Sequence, residues 1–339
     1  MVLFDTLAAA PTFFYDMKLY YYFSPSGDAY QNLAQDEYLL THLPPDTHLL
    51  YFYVNQNAVI IGRNQNLWAE CDLPALKADE VQLVRRITGG GAVYHDGGNL
   101  NFSFTSPADL YDTDKQDDIL LAALRSLGIS AEKNGRNDLV ADGHKFSGNA
   151  FGSRGDNRLR HGTLLISSDL SKMGRYLTVS AKKLRAKGVA SVRSRVCNLR
   201  DFCPELDILS LSAAIRREFE QFYGMTAEEI CFTPEEETEI RALREKRASF
   251  DWVMGEAPAF DYTFEERFSF GMAQFCVSVA DGKISRIALY TDSLDTDLPE
   301  KAKTILTGLN FSPEAISRAL TSAEEPELKE LAAYIAENL

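Results

Sequence analysis

From position 18 the chain reads Lys-Leu-Tyr-Tyr-Tyr-Phe, a run that alternates poorly but whose aromatic content favours an extended strand. Ser24-Pro-Ser-Gly27 supplies turn chemistry. After it, Leu33, Leu39, Leu40 and Leu43 carry a helical stripe that Pro44-Pro45 ends. Residues 49–54 and 58–62 predict two short strands around Asn55-Gln56-Asn57, and residues 81–88 predict another that runs into three glycines. A helix is expected over 115–127, with Ile119, Leu120, Ala123, Leu124 and Leu127 on one face and Gly128 as its stop. Asp142-Gly143 is the signature of a type I′ hairpin. Residues 162–167 predict one more strand, and 210–223 an amphipathic helix through Leu211, Ile215, Phe219 and Phe222, stopped by Gly224. Near Arg244 to Phe260 a charged helix gives way to Met254-Gly-Glu-Ala-Pro258, which reads as a linker. Beyond it, 268–280 and 284–291 predict a hairpin across Asp281-Gly282, and two or three helices finish the chain, one opening at Pro326. The class implied is α+β.

Length and charge narrow the picture. At roughly 150 residues per domain, 339 residues predict a large and a small domain. Thirty-five basic against 49 acidic side chains leave a net charge of −14, which argues against nucleic acid as a partner, since such binding relies on Lys and Arg. After Ala259 there are 14 acids and 7 bases, so half the net charge falls in this last quarter, a second, acidic α+β domain. No apolar run approaches the ~18 residues of a membrane span, and the apolar start lacks the basic residues of a secretory signal. The five cysteines, Cys71, Cys197, Cys203, Cys231 and Cys276, include no C-x-x-C pair. A disulfide framework or zinc ribbon is therefore not expected, and a reducing cytoplasm fits. The charge favours a monomer.

Three segments carry candidate chemistry. In Arg85-Arg-Ile-Thr-Gly-Gly-Gly-Ala-Val-Tyr-His-Asp-Gly-Gly-Asn99, glycines 89–91 remove every Cβ from a strand-to-strand connection, so its amides can approach an anion or a nucleobase. Arg85 and Arg86 alternate on a strand, so only one points into a site. A guanidinium suits phosphate or carboxylate. No Gly-Lys-Ser/Thr closes the loop, which excludes a Walker motif. In the second segment, a two-residue turn at Asp142-Gly143 pairs 141 with 144, 140 with 145 and 138 with 147. Asp138, Lys145 and Ser147 then share one face. The third is a basic island: residues 171–200 hold nine Lys/Arg and no acid, suited to closing over a phosphorylated intermediate or to docking an acidic partner.

These residues carry a resemblance. Arg85-Arg86 with Gly89-Gly-Gly-Ala-Val-Tyr-His-Asp96 and Gly98-Asn99 resembles the signature of the lipoate–protein ligase A family, in its large two-domain bacterial form. So do Gly135-Arg-Asn-Asp-Leu139, Lys145-x-Ser-Gly-x-Ala150, His161-Gly-Thr-Leu-Leu165 and the run from Ala186-Lys-Gly to Val196, with Ala257-Pro-Ala-Phe and Asp292-Ser-Leu in the tail. The likeness starts near Lys18 and leaves residues 1–16 as an extension outside it. It implies a biotin/lipoyl-ligase-like catalytic domain over 17–253, with a mixed sheet and flanking helices. A linker at 254–260 and a C-terminal accessory domain over 261–339 complete the expected organisation.

The activity implied has two steps: lipoate (octanoate being an open alternative) and Mg-ATP give lipoyl-AMP and pyrophosphate, then the ε-amine of a lysine attacks the mixed anhydride. The acceptors implied are the lipoyl domains of 2-oxoacid dehydrogenase E2 subunits and the glycine cleavage H protein. The resemblance assigns Lys145 to bridge the carboxylate and α-phosphate, Arg86 to phosphate, and Gly91, Ala92, Val93 and Tyr94 to the ATP pocket. Asp138 orients Lys145 or holds Mg²⁺, and Lys182, Lys183 and Lys187 lie in the adenylate loop. The principal alternative is an ATP-independent octanoyl or lipoyl transferase of the same fold, which needs a cysteine nucleophile. Its candidates, Cys71 and Cys197, are outside the Lys145 hairpin in sequence. A biotin ligase, whose glycine motif differs, and a non-catalytic adenylate-binding protein are weaker alternatives.

Within the island, Lys182-Lys183-Leu-Arg-Ala-Lys-Gly188 ends in glycine and has few large apolar anchors, so its ordering should follow the arrival of an AMP phosphate. Limited proteolysis is expected to cut near Lys187 in the ligand-free protein and to be suppressed by lipoyl-AMP. Equal cleavage with and without lipoyl-AMP would favour the docking role instead.

Overall fold

The computed structural model describes residues 17–135, 137–177, 196–254 and 262–338. Eleven strands precede residue 254: β1 (Lys18–Phe23), β2 (Thr47–Tyr53), β3 (Ala58–Ile61), β4 (Gln82–Arg85), β5 (Val93–His95), β6 (Asn99–Pro107), β7 (Glu132–Asn134), β8 (Asp138–Ala141), β9 (His144–Arg154), β10 (Asn157–Leu165) and β11 (Glu228–Glu229). Eight of them form a mixed sheet in the order β11-β1-β2-β6-β10-β9-β8-β7, and β4-β3-β5 form a second, smaller sheet. β1 runs parallel to β2 and β11, while the ladders from β2 through β9 are antiparallel. Helices in the same part of the chain are α1 (Ala29–His42), α2 (Leu67–Glu70), α3 (Leu73–Ala78), α4 (Thr113–Ser126), α5 (Leu170–Tyr176), α6 (Ile208–Tyr223), α7 (Pro234–Ala248) and α8 (Phe250–Val253).

Both faces of the large sheet are covered, which explains the poor alternation of its strands. On one face Leu50, Phe52, Phe102 and Phe104 pack against Ile119, Leu120 and Leu124 of α4 and Leu211, Ile215 and Phe219 of α6. Each such side chain contributes about 1.5–3 kcal/mol on burial. On the other face Leu49, Tyr51 and Tyr53 meet Leu33 and Leu39 of α1 and Ile60 and Val84 of the small sheet. The helix ends follow the sequence. Asp28 and Asp112 cap α1 and α4 through their side chains, and α6 stops at Gly224 in the left-handed region.

The C-terminal part is a three-stranded antiparallel sheet, β12 (Tyr262–Phe268), β13 (Gly271–Ala280) and β14 (Lys283–Thr291). Three helices cover it: α9 (Leu298–Leu306), α10 (Pro313–Thr321) and α11 (Pro326–Asn338). Its own core gathers Phe275, Val277, Leu289, Leu298, Leu306, Ile316 and Leu331. The predicted hairpin across Asp281-Gly282 is present, but the expected strand over 268–280 is split. Gly271, at φ 138°, breaks it after Phe268, so that β12 folds back on β13. Among the described residues no helix is long and apolar enough to cross a membrane.

A buried ion pair ties α7 to α1. Arg247 Nε donates to Glu37 Oε2 at 2.6 Å and its Nη2 to Oε1, with both side chains 8% exposed. The Arg247 guanidinium also lies 3.7 Å over the Trp252 ring. Removing one partner strands a charge in low dielectric. Glu37→Ala is therefore expected to cost about 3–5 kcal/mol in urea unfolding. The double replacement Glu37→Leu with Arg247→Met should recover most of it, because well-packed apolar groups need no counter-charge.

Candidate active site

The glycine loop is built around two buried guanidiniums. Arg85 points away from the cavity, its Nη1 donating to the carbonyls of Gly62, Arg63 and Gln65 and its Nη2 to Val253 O. Arg86 points the other way, its Nε and Nη2 donating to Gly89 O at 3.0 and 2.6 Å and its Nη2 also to Gly91 O at 2.9 Å. The strand thus sends one arginine to each side, as alternation requires. Burial lowers both side-chain pKa values to about 10, so both guanidiniums stay charged at neutral pH. Gly90 adopts φ +92°, and a Cβ there would lie 2.7 Å from Arg86 Nη2. Both conditions demand glycine.

Gly89 is required for a different reason. A Cβ on it would sit 2.1 Å from Ser293 O and 2.9 Å from Leu294 Cα, because the Asp292–Leu294 segment of the C-terminal part lies directly on the loop. Gly90 N–H donates to Ser293 O at 3.2 Å, and Thr291 N–H donates to Asn64 O at 3.0 Å.

Across from the loop, the hairpin turns at Asp142 (φ 47°) and Gly143 (φ 73°), both left-handed as a type I′ turn needs. The pairs 141–144 and 140–145 are as expected. Beyond them the register shifts, so that Leu139 pairs with Ser147 and Asp138 with Gly148. The expected pairing of 138 with 147 is therefore corrected by one residue, through a bulge that sets an extra β9 residue against β8. Asp138 and Lys145 still meet, with Lys145 Nζ 2.7 Å from Asp138 Oδ1 and the side chains 19% and 29% exposed. Ser147 is buried, and its Oγ has no hydrogen-bond partner.

A cavity of about 520 Å³ lies between loop and hairpin, within the range of small-molecule sites. Arg86, Gly91, Ala92, Val93, Tyr94, Asp138, Lys145 and Ser147 all line it, so the structure brings the candidates from separate segments together. Lys182, Lys183 and Lys187 lie outside the described residues, as do residues 1–16 and nearly all of the expected linker. The lining also includes groups to which the sequence reading gave no place in a site. Leu33, Tyr53, Ile60, Phe146, Leu165, Met173 and Leu177 supply apolar wall, and Asp292 and Leu294 come from the C-terminal part. Nothing local marks Tyr53 as lining a cavity, because every residue of β2 is buried.

Two histidines complete the floor. His161 lies between Asp36 Oδ2 (2.7 Å from Nδ1) and Thr88 Oγ1 (2.8 Å from Nε2), all three side chains buried. This chain fastens the glycine loop to α1. His95 Nδ1 lies 3.1 Å from Asn55 Nδ2. Burial, then the charge of Arg86, pushes its pKa down to about 3, so the ring is neutral at pH 7.

Comparison with known proteins decides what this arrangement belongs to. Residues 28–220 match the lipoyl protein ligase A/B catalytic domain, and residues 257–334 match the bacterial lipoate protein ligase C-terminus. A lipoate-protein ligase A of Bdellovibrio bacteriovorus is 38% identical over 312 residues, spanning 90% of this chain and 92% of that one. The chain belongs to the lipoate–protein ligase family. A P. falciparum protein, LipL1 in complex with lipoate, superposes with a TM-score of 0.82 at 28% identity, covering 94% of this chain and 99% of its own. A lipoate-protein ligase A structure bound with ATP gives a TM-score of 0.62 at 29% identity, covering 70% and 99%.

The glycine triplet thus divides its labour: Gly89 seats the C-terminal segment, Gly90 makes the turn, and among the described residues nothing lies within 4 Å of where a Gly91 Cβ would point. An overpacked contact costs about 1–3 kcal/mol, so Gly89→Ala is expected to loosen that seat. Hydrogen exchange should then accelerate roughly tenfold or more at the amides of Gly90 and Thr291, while the β2–β6 ladder keeps its protection.

Proposed function

We propose that the protein is a lipoate–protein ligase that activates free lipoate with ATP and passes the lipoyl group to a lysine of an acceptor lipoyl domain, on a 2-oxoacid dehydrogenase E2 subunit or a glycine cleavage H protein. The observation that carries this reading is the position of Lys145, an ammonium held by Asp138 at the wall of the cavity that the glycine loop also lines. In the first step a carboxylate oxygen bonds to the α-phosphorus and pyrophosphate leaves. Two anions must approach each other, and the charge on the α-phosphate oxygens grows as they do. A fixed ammonium stabilises that transition state more than the separated reactants. In the second step the acceptor amine attacks the acyl carbon, AMP leaves, and the amine loses a proton.

The residues divide these tasks. Gly91 to Tyr94 line the nucleotide end. Arg86 has most of its N–H groups on backbone carbonyls, so its part in phosphate binding is to hold the loop in shape and to lend its charge from behind it. Tyr53, Leu33 and Ile60 suit the apolar tail of lipoate. Among the described residues no group of three His, Cys, Asp or Glu side chains could cage a metal. A magnesium ion brought on the nucleotide phosphates would find Asp138 as a carboxylate of the cavity wall.

The cysteine-transferase alternative finds no support in the thiols. Burial pushes Cys71 up to about 12 and Cys197 up to about 11, far from the thiolate a nucleophile needs. Cys197, outside the Lys145 hairpin in sequence, lies beside it in space, its amide donating to Lys145 O at 3.0 Å. Its side chain, however, belongs to the core on the α4–α6 face.

Lipoate-dependent exchange of labelled pyrophosphate into ATP tests the reading, since only an adenylating ligase gives that signal. Lys145→Ala is expected to lower the exchange by ~100-fold or more, the scale of one preorganised electrostatic group. Lys145→Arg should not restore it fully, because a planar fork is not a point charge. Near wild-type exchange by Lys145→Ala would refute the assignment.

A further inference from the structure

We infer that Asn149 is a positioning residue for adenylation, acting through Asn137 and Asp138 on Lys145; this rests on the assignment of Lys145 above. The ammonium is useful only where Asp138 holds it, and Asp138 is the first residue of β8, at the shifted end of the β8–β9 ladder. A bulged register needs something other than the regular ladder to fix it. Here the fixing group is the Asn149 amide. Asn149 N and Nδ2 both donate to Asn137 O, at 3.0 and 2.8 Å, and Asn137 Nδ2 returns a bond to Asn149 O at 3.0 Å. Three hydrogen bonds thus pin the residue that immediately precedes Asp138.

Asn149 is itself oriented from behind. Its Oδ1 accepts from Arg160 Nε at 3.1 Å, while Arg160 is anchored on Thr113 O and on Asp117, which Lys133 also contacts at 2.8 Å. Asn149 and Arg160 are both buried, so the bond between them is shielded from water, and such a hydrogen bond is stronger and its loss larger. An amide side chain is required at 149, because one atom must accept from the guanidinium while the other donates to the carbonyl. Gly148 completes the device: a Cβ there would lie 2.9 Å from Lys145 Nζ, so its absence lets the ammonium reach across the strand to Asp138.

Steady-state pyrophosphate exchange on the full-length protein separates positioning from structure. Asn149→Ala and Asn149→Asp are compared with wild type in kcat and in KM for ATP and lipoate, below the melting temperature of each variant. The aspartate keeps the acceptor for Arg160 and loses only the donor to Asn137 O, so it serves if the alanine variant fails to fold. Both are expected to lose ~10- to 100-fold in kcat, the effect of displacing a reacting group by about an ångström, with each KM within about twofold of wild type. On a Lys145→Ala background, Asn149→Asp should subtract nothing further, because its effect passes through the missing ammonium. Three results would overturn the inference: wild-type kcat in Asn149→Asp, a loss confined to KM, or a full additional loss on the Lys145→Ala background. Full activity of Lys145→Ala alone would instead refute the underlying assignment, so the two failures are distinguishable.

Discussion

Burying a guanidinium costs several kcal/mol unless its N–H groups find acceptors, and Arg86 finds them in the carbonyls of Ile60, Gly89 and Gly91. That exchange shapes the active site. To offer those carbonyls inward, the loop turns its backbone through a left-handed Gly90. Arg85 performs the same service for the neighbouring 62–65 turn and for the end of α8. Two adjacent arginines thus organise both sides of one strand, each by saturating backbone that would otherwise need water.

The cavity is assembled from parts far apart in the chain. Its polar end comes from the glycine loop, its charged wall from the β8–β9 hairpin and its apolar end from α1, β2 and β3, while the C-terminal segment around Ser293 closes one side. Each contributor is rigid for a stated reason: buried aromatic strands, the Asp36–His161–Thr88 chain, or the asparagine bridge behind Asp138. Electrostatic catalysis requires such rigidity, because a charge that must reorganise during the reaction returns much of its benefit. Burial also keeps His95 neutral and the Cys71 and Cys197 thiols protonated.

Much was legible in the sequence because it rests on local rules. Turn chemistry at Asp142-Gly143, the stops at Gly128 and Gly224 and the stripes of α4 and α6 depend on residues a few positions apart, and their ordered motifs sufficed to indicate the family. Lys145 and Asp138 were legible together because hairpin alternation is a short-range constraint. It still failed by one residue at Ser147, where a bulge held by Asn149 outweighed regular pairing.

What the sequence by itself determined, then, is the family and those elements whose ends and faces are marked locally; its pattern does not mark the central strand β6 or the short helices α2, α3 and α5. Tertiary structure alone decided that the N–H groups of Arg86 serve the loop first. It also decided that Gly89 exists for a carbonyl some two hundred residues away, that Tyr53 lines the apolar end, and that Cys197 faces the core. The physical reason is the same in each case. These are statements about close approach between segments distant in the chain, and a one-dimensional pattern records which side of its own strand or helix a residue occupies, but not what is packed against that side.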